Sequence, residues 1–391
     1  MSTSFWLDRT PRVEKKTFDV VIVGAGISGL SAAYWLEQED PSLKIAIVEK
    51  SRLGFGASGR NAGFVTCGSV EHFNRLIGKH GKDQAVDIWR FSEKNLRLLE
   101  EHIVQDQSEL LQFEKKGAFS LAAQPQEFEE LKKVSALMDD IGIPTKIYSS
   151  TEVEKAVGAT GFVGGIRYLD DASVHPISLL EAMGKKLKNT TLIEGTEVHS
   201  FSPTSEGSRL VHTDQGDIDC SMVVLALNGY SNLLSKYFDD KIYPTRGQIL
   251  MMEKVPRFMD GPCYANFYLD YFRQLPSGEL LIGGFRQIEK STEVGYSDHI
   301  TEGIQKALHE FVQTHLPAYL NKKVTHRWSG IMGFSKDGEP MVGALPEDGQ
   351  IFFMGGYTGH GMGLAFNTGK TLTDLIFGKD IPRWISAKRF S

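Results

Sequence analysis

The sequence predicts an α/β fold in which a doubly wound, parallel-sheet domain is interwoven with an α+β domain built on an antiparallel sheet. Three features carry that expectation. An apolar strand, a glycine-rich turn and a helix pattern open the chain; a second apolar strand ending in an acidic residue follows at once; an aromatic, strand-rich stretch lies far downstream. The 391 residues exceed one ordinary core of about 100–200 residues, and neither an internal repeat nor a low-complexity linker separates the parts.

Phe18 to Val23 is a β-branched apolar run, as a buried parallel strand requires. A helix pattern runs from Ile27 to about Gln38, with Ala32, Ala33, Trp35 and Leu36 spaced to face a sheet, and Lys44 to Glu49 forms the next strand. Between strand and helix, Gly24, Gly26 and Gly29 make a G-x-G-x-x-G turn, and Glu49 stands about twenty residues beyond it. In that context the turn reads as a dinucleotide site. Bare glycine backbone admits a pyrophosphate, the helix N-terminus supplies amide donors, and Glu49 accepts from both ribose hydroxyls while repelling a 2′-phosphate, which disfavours NADP.

Helical patterns follow from Asp83 to about Asp106 and from Gln126 to Asp140. Strands return at Leu192-Ile193, at Arg209 to His212 and at Met222 to Leu227, the last apolar enough to be central. A hairpin is expected at Pro276-Ser277-Gly278, between Tyr268–Leu275 and Glu279–Gly284. Alternation on its first strand places Phe267, Leu269, Tyr271 and Arg273 on one face. Two further loops favour FAD over the shorter NAD. Gly54 to Gly63 directly follows the acidic strand end, and Gly355 to Gly363 follows the strand Ile351–Met354 and opens a helix through Leu372 to Phe377. That helix N-terminus would stabilise negative charge developing on a reduced flavin.

Lys and Arg total 43 against 49 Asp and Glu, a net charge of −6, which argues against nucleic acid as a main partner. Three cysteines, Cys67, Cys220 and Cys263, form neither a disulfide framework nor a zinc pattern, and a reducing cytoplasmic setting is expected. Met1 to Lys16 lacks a signal-peptide core, and no apolar run approaches the roughly 18 residues of a membrane span. The arm Ser4 to Leu7 is expected to pack on the body or on a partner subunit. No metal-ligand cluster is apparent, and Gly369-Lys370-Thr371 lies mid-helix without the glycine that a phosphate loop needs.

These segments, in order, resemble the FAD-dependent amine and amino-acid oxidoreductases of the D-amino-acid oxidase, glycine oxidase and sarcosine oxidase group. The resemblance rests on Gly24 to Gly29 with Glu49, Ala57 to Gly63, His175-Pro176, Thr196 to Val198, Leu225 to Gly229 and Arg246 to Gln248. It continues through Asp270 to Arg273, Trp328 to Gly330, Asp337 to Pro340 and Gly356 to Gly363. Ser58 to Asn61 with Gly359 to Gly361 looks most like the γ-glutamylputrescine oxidoreductase branch. The resemblance implies a Rossmann-like FAD-binding domain from 1–85, 151–240 and 325–391, and a substrate domain from 86–150 and 241–324. It places Ile27 and Ser28 at the pyrophosphate, Glu49 and Lys50 at the ribose, and Ala57, Ser58, Ala62 and Gly63 along the phosphates and flavin. Arg60, Asn61 and Gly229 are counted with them, Val198 meets the adenine end, and Gly356, Tyr357, Thr358, Gly359, His360, Gly361 and Met362 meet the flavin ring.

Two departures from the family bear on chemistry. Met332 stands where glycine oxidases carry an arginine for the substrate carboxylate, so simple α-amino acids should bind poorly. Leu281 and Gly330 stand where sarcosine oxidases carry an oxygen-activating lysine and a flavin-linking cysteine, so FAD is expected to be non-covalent. His360, Tyr271 and Arg273 are the candidates for catalysis and substrate contact, Trp328, Met332 and Arg286 for the pocket, with Tyr357 a further wall and Arg246 a further anion contact. The expected activity is hydride removal beside a small or γ-glutamylated amine, giving an imine that hydrolyses, with oxygen, a quinone or another carrier as electron acceptor. A D-amino-acid dehydrogenase is the alternative, and a flavin-bearing subunit or tRNA-modifying domain the alternative of another class.

Overall fold

Val20, Val21, Ile22 and Val23 are buried, as the centre of a covered parallel sheet demands. In the computed structural model, which describes residues 16–266 and 270–390, their strand runs Lys16–Val23 and pairs in parallel with Ile45–Val48 and with Ile218–Leu225. Thr190–Ile193 and Asp348–Gly355 extend the parallel set on either side, and Met341–Leu345 closes one edge antiparallel. The hairpin Val198–Pro203 and Arg209–Thr213 joins through Ile218–Leu225 to complete eight strands. The expected arm Ser4–Leu7, and Phe267, Tyr268 and Leu269, lie outside the described residues.

One face of this sheet is covered by the turn helix, Ile27–Glu39, which is itself roofed by the closing helix, Gly361–Ile376. Both helices are apolar and mostly buried, so neither has a solvent stripe. Their close approach needs Gly369, where a Cβ would come within 2.6 Å of the Ser31 Cβ, and Trp35 Nε1 donates to the Phe366 carbonyl at 2.9 Å. Gly369 thus serves helix packing, consistent with its mid-helix reading.

The second sheet also has eight strands, in the order Val324–Ser335, Ile242–Met252, Leu280–Gly283, Asp270–Gln274, Cys263–Ala265, Ala118–Ala122, Gly164–Tyr168 and Thr145–Ser149. Its pairs are antiparallel except Cys263–Ala265 against Ala118–Ala122. The expected hairpin is present, with Tyr271 opposite Gly283. The helix Glu302–His315 packs on one face of this sheet, and the other face looks toward the loop Gly54–Gly63. Among the described residues no helix is long and apolar enough to cross a membrane.

The sheets divide the chain differently from the expected boundaries at three places. Gly164–Tyr168 pairs on both edges inside the second sheet, where Gly164 lies under the Phe128 ring, although the resemblance places 151–240 in the first domain. Val324–Ser335 likewise spans the second sheet beside Ile242–Met252. Conversely, the helix Lys82–Leu99, expected in the substrate domain from residue 86 onward, docks on the closing helix: Asn95 Nδ2 donates to the Met362 carbonyl at 3.2 Å and Asn95 Oδ1 accepts from the Asn367 amide at 3.0 Å. In each case the deciding partner is remote in sequence.

Candidate active site

The glycine turn does its work by contact. Gly24 takes φ +108°, which L side chains rarely adopt, and a Cβ on Gly29 would lie 1.9 Å from the Gly24 carbonyl oxygen, so only glycine lets the turn helix start there. Gly26 is an extended N-cap with no side-chain cap, and the first turn carries no acidic residue. Two side chains fix the loops around it. Ser58 Oγ accepts from the Ile27 amide at 2.9 Å, and Glu49, at the end of its strand, accepts from the Ala25 and Ser51 amides at 2.9 Å each. Lys50 points outward and pairs with Glu197 at 2.8 Å, while Val198 is buried in the core beside the strand ends.

The Ala57–Gly63 loop is stitched by Asn61, whose Nδ2 donates to the Ala57 and Ser58 carbonyls and whose Oδ1 accepts from the Gly63 amide at 2.7 Å. Arg60 stacks on Phe55 and donates to the Ser329 carbonyl at 3.0 Å, and Trp328 Nε1 donates back to the Arg60 carbonyl at 2.9 Å. Loop and second sheet are therefore latched together. Behind Gly63 lies Arg273, 4% exposed, with Nη2 donating to the Val174 carbonyl at 2.9 Å. Burial brings its pKa down to about 10. This corrects the expectation that Arg273 meets substrate: alternation gives its face but not its depth, and the guanidinium backs the loop.

At the far end, Asn228 adopts φ +48° and its Oδ1 accepts from the Gly356 amide at 2.9 Å, while Gly229 lies against the Met332 carbonyl and Thr358 N donates to the Gly333 carbonyl. Tyr357 turns inward: Ser28 Oγ donates to its hydroxyl at 3.0 Å, so its backbone borders the site but its ring is no pocket wall. His360 caps the closing helix by backbone only and stacks on His72 at 4.4 Å between centroids. Burial holds both imidazoles below the usual histidine value, His72 far below, with His360, Arg75 and Lys79 adding to the effect there and Glu339 opposing it at His360. Gly359, Gly361 and Met362 complete this second helix start, which likewise has no acidic residue in its first turn.

Across from both helix starts, one face of the second sheet presents Tyr264, Tyr271, Gly283, Ile249 and Trp328 in a row, with Gly330, Met332 and Phe334 along the last strand. The Tyr271 ring lies flat over Gly283 and edge-on to Phe64, and burial pushes its hydroxyl up to about 12. Met332 folds against bare Gly247, Ala62 packs with Ile249 and Leu281, and Arg286 lies 4.2 Å over Phe334. Arg246 is on the opposite face, spent on Glu293, and is no anion contact.

Two helix starts with no acidic residue in the first turn, a fixed acceptor at a strand end and a flat apolar face between them suit a ligand that is long, anionic in the middle and aromatic at one end, as FAD is. The family model described as FAD dependent oxidoreductase (DAO) matches residues 19–375. The chain belongs to the FAD dependent oxidoreductase family. Like other members of that family it is an FAD-dependent enzyme. It is 27% identical over 391 residues to glycine oxidase of Bacillus subtilis, covering 96% of this chain and 97% of that one. It is 23% identical over 377 residues to gamma-glutamylputrescine oxidoreductase of Escherichia coli, covering 93% and 85%. The crystal structure of glycine oxidase from Geobacillus kaustophilus matches its fold with a TM-score of 0.79 at 22% identity, covering 94% and 96%.

For this oxidoreductase, sequence reasoning passed over Asn228, His72, Phe64 and Tyr264. Asn228 carried a signal, since asparagine before glycine tolerates a left-handed turn. The other three are brought to the site by partners distant in the chain: Tyr264 by its 2.6 Å hydroxyl bond to Thr66, Phe64 by edge-on contact with Tyr264 and Tyr271, and His72 by His360.

Proposed function

We propose that this enzyme oxidises the carbon–nitrogen bond of an amine whose reacting carbon carries hydrogen or alkyl rather than a carboxylate, with an extended, γ-glutamylated type of amine as the best fit. The observation that carries this reading is Met332, folded against Gly247 beside Gly330, on the sheet face that also carries Trp328 and Tyr271. A carboxylate beside the reacting carbon would be desolvated against a thioether, without a guanidinium. Arg273, the other expected anchor, is committed behind Gly63.

The turn at Ala25–Ser28, Glu49, the Ser58–Gly63 loop and the Gly356–Met362 turn would hold FAD, which supplies the two-electron acceptor when bound. Tyr271 and Trp328 would then confine the substrate against that plane and exclude water. The same burial that holds the His72 and His360 imidazoles below the usual histidine value would favour the neutral, reactive form of an amine bound beside them. The likeness to gamma-glutamylputrescine oxidoreductase supports the substrate class.

Stopped-flow reduction without oxygen tests this. Extended amines should bleach the flavin much faster than glycine, sarcosine or D-alanine. Met332→Arg should raise the preference for the small amino acids by about 10- to 100-fold, because a charge-assisted pair contributes about 1.5–3 kcal/mol. Fast reduction of the unaltered enzyme by D-alanine or glycine, with none by extended amines, would favour a D-amino-acid dehydrogenase instead.

Attachment of FAD is proposed to be non-covalent, since Gly330 occupies the linking position and Cys67, Cys220 and Cys263 are all buried. Acid precipitation should carry the yellow colour into the supernatant. Colour retained in the washed pellet would refute this.

A further inference from the structure

We propose that Arg286 binds a substrate carboxylate remote from the oxidised carbon, and that buried Asp270 is the positioning residue that aims it. This rests on the amine-oxidising reading above and adds to it the anchor and the spacing.

Four other buried or part-buried arginines pair with carboxylates, Arg209 with Asp348, Arg389 with Asp337, Arg167 with Asp260 and Arg246 with Glu293, and Arg273 bonds the Val174 carbonyl. Arg286 differs. Among the described residues it makes no hydrogen bond or ion pair; its guanidinium lies over the Phe334 ring at 4.2 Å beside Tyr271, and burial lowers its pKa. The carboxylate that acts on it, Glu293, already accepts from Arg246 and Gln248. A half-buried cation left without an anion is costly, and a guanidinium with one face on a ring still offers its planar edge to a carboxylate.

Its placement is built. Phe285, the preceding residue, holds φ +57°, an unfavourable conformation for a side chain of that size. Asp270, fully buried, fixes it: Oδ1 accepts from the Phe285 amide at 2.5 Å and Oδ2 accepts from Asn266 Nδ2. The Phe285 ring is held from the other side by Phe311, with centroids 5.8 Å apart. The chain thus leaves the strand Leu280–Gly283 in a reversal that carries Arg286 back over the site face.

Phe334 follows Met332 by two residues on the same strand face, which is about 7 Å along the sheet. A ligand reacting near Met332 would reach Arg286 with an acidic group several bonds away. The substrate class is therefore an amine with a distal carboxylate, and an α-carboxylate would fall short of the anchor.

Two measurements on the flavin-loaded enzyme test this. In stopped-flow reduction, Arg286→Gln should weaken apparent binding of a γ-glutamylated diamine by about 10- to 100-fold with little change in limiting rate, and should leave its carboxamide analogue unaffected. Asp270→Ala should give the same selective loss, and Asp270→Asn, which keeps an acceptor for the Phe285 amide, should recover most of it. The second measurement needs no turnover: pentanoate should perturb the flavin absorbance of the unaltered enzyme and bind at least tenfold more weakly to Arg286→Gln. Equal effects on the acid and its carboxamide, or equal pentanoate binding by both proteins or none by either, would overturn the Arg286 assignment. Pentanoate binding that depends on Arg286 while no amine reduces the flavin would leave the anchor standing and remove the amine reading.

Discussion

Glu49→Ala should purify with little or no FAD. The carboxylate is a brace as well as the proposed ribose acceptor, because its two oxygens tie the Ala25 amide of the glycine turn to the Ser51 amide of the next loop. Hydrogen bonds to a charged acceptor contribute about 1.5–3 kcal/mol each, so losing both costs about 3–6 kcal/mol of site organisation before any contact with the ribose is counted. Cofactor affinity should fall by roughly 10²- to 10⁴-fold. Glu49→Gln keeps only one good acceptor and should be intermediate. The readouts are the flavin-to-protein ratio after purification and a refilling titration; full occupancy with unchanged affinity would show that the brace is dispensable.

Gly29→Ala should be the most damaging single-methyl change in the nucleotide turn. Its new Cβ would overlap the Gly24 carbonyl oxygen at 1.9 Å, and backbone cannot swing aside as a side chain can. Relief requires the turn helix to retreat from the strand, but that helix is backed by the closing helix, with Gly369 already against Ser31. The cost should reach or exceed the roughly 1–3 kcal/mol usual for overpacking, with loss of flavin alongside a lowered melting temperature. Gly56→Ala is the control, since a Cβ there meets nothing within 4 Å. A Gly29→Ala protein that melts with the parent and keeps its flavin would contradict the packing argument.

The nucleotide half was legible because its signals are local. Glycines at Gly24, Gly26 and Gly29 sit between a buried strand and a helix, and Glu49 ends the next strand, so spacing alone carries the geometry. The second half was legible only as strand content. Alternation correctly set Tyr271 and Arg273 on one face, yet no local pattern tells that Arg273 is buried under Gly63 while Arg286, after a left-handed Phe285, returns over that face. Tyr357 fails for the same reason: its partner Ser28 lies 329 residues away. Strand membership of Gly164–Tyr168 and Val324–Ser335 is decided by edge partners, which a single sequence does not display.

The Ser28–Tyr357 hydrogen bond also sets a timetable for biosynthesis. At 5–20 residues per second, the 329 residues between them take roughly 15–70 s to translate, and for that time the apolar turn helix lacks the closing helix that roofs it. Leu30, Ala33, Trp35 and Leu36 are then exposed on the nascent chain, a surface for chaperones to shield. Flavin loading at the proposed site would accordingly be a late event, because one of its two helix starts does not exist until the glycine turn has long left the ribosome.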